Sequence, residues 1–168
     1  DTLLYLAHES VESFLVRQDL DGEPQVVLEK GGPAMDSLDL AREAGRVVTV
    51  ADTPTHPREV YAWERGDDEL TRLTDSNPWL ADVELAKQEV VSYEARDGLR
   101  IDGMLIHPLG GVPDGGAPLI VVVHGGPEAH YSNGWLTRYV SPAQTLAARG
   151  FAVFYPNYRG STGRGVEF

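Results

Sequence analysis

The stretch Leu119-Ile120-Val121-Val122-Val123-His124-Gly125-Gly126-Pro127 decides the fold of the second half of the chain. Its first five residues are aliphatic and mostly β-branched, which is typical of a strand buried on both faces of a parallel sheet. The glycines follow where this strand ends, and ligands of open α/β sheets bind at that edge. Glycine lets backbone N–H groups approach a bound molecule because it has no Cβ. The alternative is a glycine turn that only permits a tight crossover.

The residues after this loop predict a helix and a second strand. Ser141-Pro142 indicates a helix start, with Ser as N-cap and Pro at the first helical position. Ala143–Arg149 continues the helix, and Gly150 is expected to end it in the left-handed conformation. Phe151–Tyr155 is a further apolar strand. Strand, loop, helix and strand in this order predict a mixed, mainly parallel sheet.

A hairpin is predicted before the loop. Glu89–Tyr93 and Leu99–Ile106 are strand-like runs joined through Asp97-Gly98. The Asp-Gly pair is favoured in type I′ turns, because both central residues of such a turn have positive φ.

The first half of the chain predicts short antiparallel strands in a repeated order. The offset between the two copies is about 45 residues, the length of a four-stranded propeller blade. Chance alternation in a generic β domain is the alternative interpretation. The predicted strands are Leu3–Ala7, Ser13–Gln18 and Gln25–Leu28, followed by Val47–Ala51, Glu59–Trp63 and Leu70–Leu73.

The amino-acid composition of the chain argues against several classes of partner and binding site. The 168 residues carry a net charge of −12, which argues against nucleic acid or an anionic membrane as partner. The chain has no Cys, so it forms neither a disulfide nor a zinc–thiolate site. The segment 131–168 carries a net positive charge. Either this segment and the rest of the chain form separate solvent-exposed surfaces of opposite charge, or the basic segment packs against an acidic part of the same protein. We expect a cytoplasmic location, with a periplasmic or secreted one left open.

Two motifs carry a resemblance to a known family. His124-Gly125-Gly126-Pro127 and the run Asn157-Tyr158-Arg159-Gly160-Ser161-Thr162-Gly163 together resemble the prolyl oligopeptidase family, nearest its acylaminoacyl-peptidase-like branch. Leu73–Asn77 resembles the end of the last propeller blade in that family. The resemblance implies a mixed fold, in which residues 1–82 are the last blades of a β-propeller and residues 83–168 are the N-terminal part of an α/β-hydrolase domain.

The same resemblance implies a chemistry. It implies hydrolysis of peptide or acyl-peptide bonds by a Ser/Asp/His triad, with no cofactor and no metal. The implied partners are a peptide substrate and the rest of the same polypeptide, with oligomerisation left open. The N–H of Gly126 would be an oxyanion-hole donor, and Gly125 and His124 would shape its loop. His124 is not expected to be the triad base, because the order in this fold is Ser, Asp, His.

The nucleophile is not evident in the chain. No Gly-x-Ser-x-Gly occurs, and Ser132 and Ser161 lack that frame. We therefore expect the nucleophile, acid and base after Phe168, most of the propeller before Asp1, and no activity from this chain alone. The alternatives are an esterase or lipase-like α/β-hydrolase with the same loop, and a non-catalytic propeller interaction module.

Overall fold

A computed structural model describes residues 1–126 and 128–168; Pro127, the last residue of the first motif, lies outside the described residues. Three separate sheets follow one another along the described chain. The elements are β1 (Thr2–Glu9), β2 (Glu12–Asp19), β3 (Gln25–Leu28), β4 (Ala34–Ala41), β5 (Arg46–Thr53), β6 (His56–Glu64), β7 (Thr71–Arg72), β8 (Gln88–Glu94), β9 (Arg100–Ile106), β10 (Leu119–Val121), α1 (Ala143–Ala147) and β11 (Ala152–Pro156), with short 3₁₀ helices at Arg42–Ala44 and Pro78–Asp82.

The first two sheets are antiparallel throughout, in the orders β1-β2-β3 and β4-β5-β6-β7. The strands β1, β2 and β3 recur as β5, β6 and β7, which confirms the predicted repeat of strand order. Alternate residues of β5 are buried, as expected for a strand with one face on a core. The two sheets share one apolar core of Leu15, Leu28, Met35, Val47, Ala51, Tyr61 and Trp63.

One strand of the second sheet was not predicted. β4 carries the polar residues Asp36, Ser37 and Asp39 and is exposed over most of its length. It pairs with β5 along seven register positions, and only its first two residues, Ala34 and Met35, are buried. A strand of this kind leaves little periodic signal in the sequence.

The third sheet has the order β10-β11-β9-β8. Among the described strands, β10 and β11 are parallel and the other two pairs are antiparallel, so the sheet is mixed as predicted, but it is not mainly parallel in this part of the chain. The predicted hairpin of β8 and β9 is present, but its turn is not type I′. Gly98 has φ +84° whereas Asp97 is not among the residues with positive φ, and the N–H of Ala95 donates to the carbonyl of Leu99 at 2.8 Å.

A close approach between β9 and β11 explains a glycine inside a strand. A Cβ on Gly103 would lie 2.6 Å from the carbonyl oxygen of Tyr155, so no larger residue fits without moving the backbone. Around this point the sheet packs against α1 in a second apolar core, formed by Val11, Ala86, Met104, Ile106, Leu136, Ala143, Ala147, Val153 and Tyr155.

Two expectations about β10 and α1 were wrong. β10 ends at Val121, and Leu119 and Val121 are 56% and 51% exposed, because among the described residues β10 pairs with β11 alone. Ser141 is not an N-cap, since its hydroxyl lies 2.6 Å from the hydroxyl of Tyr155. Gly150 has φ +87° after the helix, as predicted.

The segment between the second and third sheets contacts elements on both sides. Its 3₁₀ helix buries Leu80, and Thr53 of β5 lies with Leu80 along one cavity wall. The N–H of Ala86 donates to Oε1 of Gln144 in α1 at 2.7 Å, and Nε2 of Gln144 donates to the carbonyl of Ala86 at 3.1 Å. Among the described residues, no helix has the length and apolar character required to span a membrane.

Candidate active site

The two motifs meet at one edge of the third sheet. β10 and β11 run parallel, so the loops that follow them leave the sheet on the same side. The pairing continues one residue past β10, where the N–H of Val122 donates to the carbonyl of Phe154 at 2.8 Å. His124 and Gly126 therefore come close to the run that starts at Asn157.

The second motif supports His124 directly. The imidazole of His124 is stacked on the ring of Tyr158, with centroids 4.4 Å apart, and the Tyr158 hydroxyl donates to the carbonyl of His124 at 2.7 Å. The hydroxyl of Ser161 lies 2.8 Å from Nε2 of His124 and donates to the carbonyl of Tyr158 at 2.7 Å. Ser161 is buried, so water does not compete for these contacts. The strand end and the second motif thus hold the start of the loop in one position.

The two glycines of the loop differ in their surroundings. Gly126 has φ +153°, and a Cβ there would lie 2.8 Å from the backbone nitrogen of Glu128. A Cβ on Gly125 would meet no described atom within 4 Å. Within the described part of the chain, the N–H of Gly126 donates no backbone hydrogen bond. The backbone conformation therefore requires glycine at position 126, and its N–H is left for another acceptor.

A buried amide ties the end of the loop to the second motif. Asn157 is buried, its Oδ1 accepts the N–H of Tyr131 at 2.7 Å, and its Nδ2 donates to the carbonyl of Tyr131 at 2.8 Å. The sequence motif contained Asn157, Tyr158 and Ser161, but nothing in their spacing assigned them these contacts. Arg159, a further residue of this motif, forms an ion pair with Asp97.

The second motif also contacts the first sheet through Asp102 of β9. Ser10, in the β1–β2 turn, donates its hydroxyl to Asp102 at 2.6 Å and its N–H to the carbonyl of Gly163 at 2.8 Å. Arg164 donates to the same carboxylate at 2.8 Å. Burial raises the pKa of Asp102, but hydrogen bonds from Ser10, Ser92 and Arg100 outweigh it and hold the pKa below its ordinary value. Arg159 and Arg164 of the basic segment thus meet acids of this chain.

The loop that follows Gly126 lies against the first two sheets. The rings of His130 and His8 meet edge-on, with their centroids 5.0 Å apart. Nδ1 of His130 lies 2.7 Å from the hydroxyl of Thr162. Burial lowers the pKa of His130, and the neighbouring His8 and His124 lower it further, so this imidazole is disposed to be neutral. The N–H of Trp135 donates to Asp52 of β5 at 3.1 Å.

Relatives identify the group of proteins to which this arrangement belongs. The chain is 30% identical over 134 residues to the uncharacterized peptidase YuxL of Bacillus subtilis, covering 80% of this chain and 20% of that protein. It is 36% identical over 118 residues to dipeptidyl aminopeptidase BIII of Pseudoxanthomonas mexicana, covering 67% of this chain and 16% of that protein. The chain belongs to the prolyl oligopeptidase family of serine peptidases.

A solved structure supports this family assignment at the level of the fold. Acylaminoacyl peptidase of Pyrococcus horikoshii superimposes with a TM-score of 0.77 at 28% identity, covering 99% of this chain and 25% of that one. No protein-family model matches the chain. The chain spans about a fifth of the length of the curated family members that it matches.

Proposed function

We propose that the protein carrying this chain is a serine peptidase that hydrolyses peptide or acyl-peptide bonds, and that Gly126 supplies one oxyanion-hole donor. The observation that supports this role is that the N–H of Gly126, at the carboxyl edge of the third sheet, donates to no backbone acceptor among the described residues. In α/β-hydrolases, one donor comes from the loop between the third strand and the first helix. In chain order, β10 is the third strand of its sheet and α1 is the helix that follows.

The domain division follows from the same proposal. Residues 83–168 would form the N-terminal part of an α/β-hydrolase domain, and residues 1–82 the last blades of a propeller that covers it. The antiparallel sheets and their repeat support the second assignment. The strand–loop–helix–strand order from β10 to β11 supports the first.

The proposed role of Gly126 is electrostatic. When the triad serine attacks the substrate carbonyl, negative charge develops on the carbonyl oxygen, and a fixed N–H stabilises it without reorganisation. The second donor would be the N–H that follows the nucleophile. His124 would hold the loop through its contacts with Tyr158 and Ser161, while proton transfer falls to the triad histidine, which follows the nucleophile in this fold.

The test must remove the N–H of Gly126 without changing its φ. Proline does not serve, because its φ near −65° is incompatible with φ +153°. Replacing Gly126 by glycolic acid in the full-length polypeptide converts the amide to an ester and keeps the backbone path. We expect kcat to fall about 10²–10³-fold with KM nearly unchanged, the cost of losing one oxyanion donor.

The matched control is the same ester replacement at Gly125, which we expect to retain most of kcat. Equal kcat for the Gly126 ester and the unmodified enzyme would show that Gly126 is only a turn residue. The 168-residue chain alone, which contains no Gly-x-Ser-x-Gly, should show no turnover of acylaminoacyl substrates in the same assay.

A further inference from the structure

The side chain of Asn157 projects from a fixed point of the third sheet. Asn157 follows β11 directly and is 2% exposed. Its own N–H donates to the carbonyl of Asp102 in β9 at 2.9 Å, which anchors its backbone to the neighbouring strand. Because water does not reach a buried amide, its donor and its acceptor both need partners within the protein.

Asn157 uses both ends of its amide on one residue of the loop. Its Oδ1 accepts the N–H of Tyr131 at 2.7 Å, and its Nδ2 donates to the carbonyl of Tyr131 at 2.8 Å. A backbone N–H only donates and a carbonyl only accepts, so these partners require this orientation of the amide. An ionised carboxylate of the same size would only accept. The contact therefore depends on the chemistry of the amide as well as on its size.

The ring of Tyr131 connects this contact to the start of the loop. It meets the imidazole of His124 edge-on, with centroids 5.2 Å apart, and the ring of Tyr155 in β11 edge-on, with centroids 4.9 Å apart. Close-packed side chains do not shift independently of their neighbours. His124 and Tyr131, which stand on either side of Gly126 in the sequence, are thus held to each other as well as to the second motif.

The backbone between these two residues has little freedom to absorb a displacement. At Gly126 the chain turns so sharply that a Cβ would lie 2.8 Å from the backbone nitrogen of Glu128. Further along the loop, the N–H of Thr162 donates to the carbonyl of Ala129 at 3.0 Å. A shift of Tyr131 therefore changes the position of Gly126.

We propose that Asn157 is a positioning residue for peptide hydrolysis, because its amide fixes Tyr131 and thereby holds the N–H of Gly126 where charge develops on the substrate oxygen. The inference rests on the proposed function, in which Gly126 is an oxyanion-hole donor. Asn157 itself touches neither the substrate nor the triad. An oxyanion donor acts through its fixed position, so a loosened loop should lower kcat more than it raises KM.

The experiment compares the full-length polypeptide with its Asn157→Asp variant on a peptide substrate, from about pH 8 down to about pH 5.5. At pH 8 one oxygen of the ionised carboxylate still accepts the N–H of Tyr131, but the other faces the Tyr131 carbonyl without a proton. We expect kcat to be about 10–100-fold below that of the parent with KM nearly unchanged, since a displacement of about 1 Å costs up to about 10²-fold.

Lowering the pH should repair the contact in this variant. Burial favours the neutral form of a carboxyl group, and a protonated carboxyl can donate to the Tyr131 carbonyl. The ratio of variant kcat to parent kcat should therefore rise as the pH falls. His124, Asp102 and Tyr155, which contact Asn157 or Tyr131, are present in both proteins, as is the triad histidine, so their own titrations cancel in this ratio.

Asn77→Asp is the matched control. Asn77 is half-buried, and its side chain makes no hydrogen bond among the described residues. The same substitution there should leave kcat near that of the parent, with a ratio that does not change with pH.

A second change tests the same contact from the side of Tyr131. Replacing Tyr131 by its α-hydroxy acid converts the amide to an ester and removes the N–H that Asn157 accepts, while Asn157 stays intact. We expect kcat to fall here as well. This change covers the case in which Asn157→Asp does not fold, which circular dichroism reports.

The outcomes separate this inference from the proposed function. If the Gly126 ester lowers kcat but Asn157→Asp and the Tyr131 ester keep parent kcat, Asn157 is not a positioning residue and the proposed function stands. A low kcat of Asn157→Asp whose ratio to the parent stays flat with pH would also contradict the role of the amide donor. If the parent does not hydrolyse peptides, the proposed function fails and this inference fails with it.

Discussion

The imidazole of His124 lies nearly parallel to the phenol ring of Tyr158, at an interplanar angle of 18°. Each ring belongs to a different motif of the sequence, and the hydroxyl of Ser161 closes the arrangement by contacting Nε2 of His124. The loop that carries Gly126 is therefore held by side chains from the segment after β11 as well as by its own backbone.

The first prediction concerns Ser161→Ala in the full-length polypeptide. Removing the hydroxyl takes a hydrogen-bond partner from part-buried groups of His124 and Tyr158, and such a bond contributes about 0.5–1.5 kcal/mol. Because these groups position the Gly126 loop, we expect kcat to fall about 10-fold or more, equivalent to roughly 1.4 kcal/mol. KM should change little, and steady-state kinetics on a peptide substrate measure both constants.

Ser132→Ala is the control for that variant. The Ser132 hydroxyl contacts Nε2 of His130 at 3.2 Å and lies outside the contacts of His124. We expect Ser132→Ala to retain nearly parent kcat, and Ser161→Thr to restore part of the loss by returning a hydroxyl. An unchanged kcat in Ser161→Ala would contradict the positioning role.

The second prediction separates the two glycines of the loop. Gly126→Ala places a Cβ 2.8 Å from the backbone nitrogen of Glu128 at φ +153°, a conformation almost restricted to glycine. We expect this variant to be less stable by about 1–3 kcal/mol. Gly125→Ala, where a Cβ meets open space, should stay within about 0.5 kcal/mol of the parent. Urea unfolding of the full-length polypeptides compares them, and equal midpoints for the two variants would show that position 126 tolerates a side chain.

The sequence was most informative where one physical pattern controlled the structure. The apolar runs in β5 and β6 predicted strands whose order repeats, and Gly150, which follows α1, has the positive φ that its missing Cβ allows. β4 was missed because the polar residues Asp36, Ser37 and Asp39 leave it without an apolar period, although it pairs with β5 along most of its length. The sequence of β10 indicated burial on two faces, but one neighbouring strand in this chain leaves it exposed.

The candidate site was less predictable from the sequence than the strands. The loop was singled out because its glycines follow a strand, which is local information, and the family resemblance then implied the roles of His124 and Gly126. The contacts that hold them depend on Tyr158 and Ser161, more than thirty residues away, and on the pairing of β10 with β11. The hydrogen bond from Ser10 to Asp102 joins the first sheet to the third, and no sequence spacing predicts such a contact.

The last prediction concerns this Asp102 contact and its dependence on pH. Asp102→Asn removes the charge that accepts hydrogen bonds from Ser10, Ser92, Arg100 and Arg164. Hydrogen bonds to a charged group contribute about 1.5–3 kcal/mol each when they are sheltered from water. Because Arg100 is 67% exposed, we expect the variant to lose about 1–3 kcal/mol of stability in total at pH 7.

Because the pKa of Asp102 in the folded state lies below its ordinary value of 3.8, the stabilisation is complete well above pH 3.8 and disappears as the pH falls through the folded pKa. Urea unfolding of the parent and variant full-length polypeptides should therefore show the same difference at pH 7 and pH 5, and a smaller one at pH 3. Asp114→Asn, at an exposed loop position, should show no such difference at any pH. A difference between parent and Asp102→Asn that stays constant down to pH 3 would mean that the Asp102 charge does not hold the first sheet to the second motif.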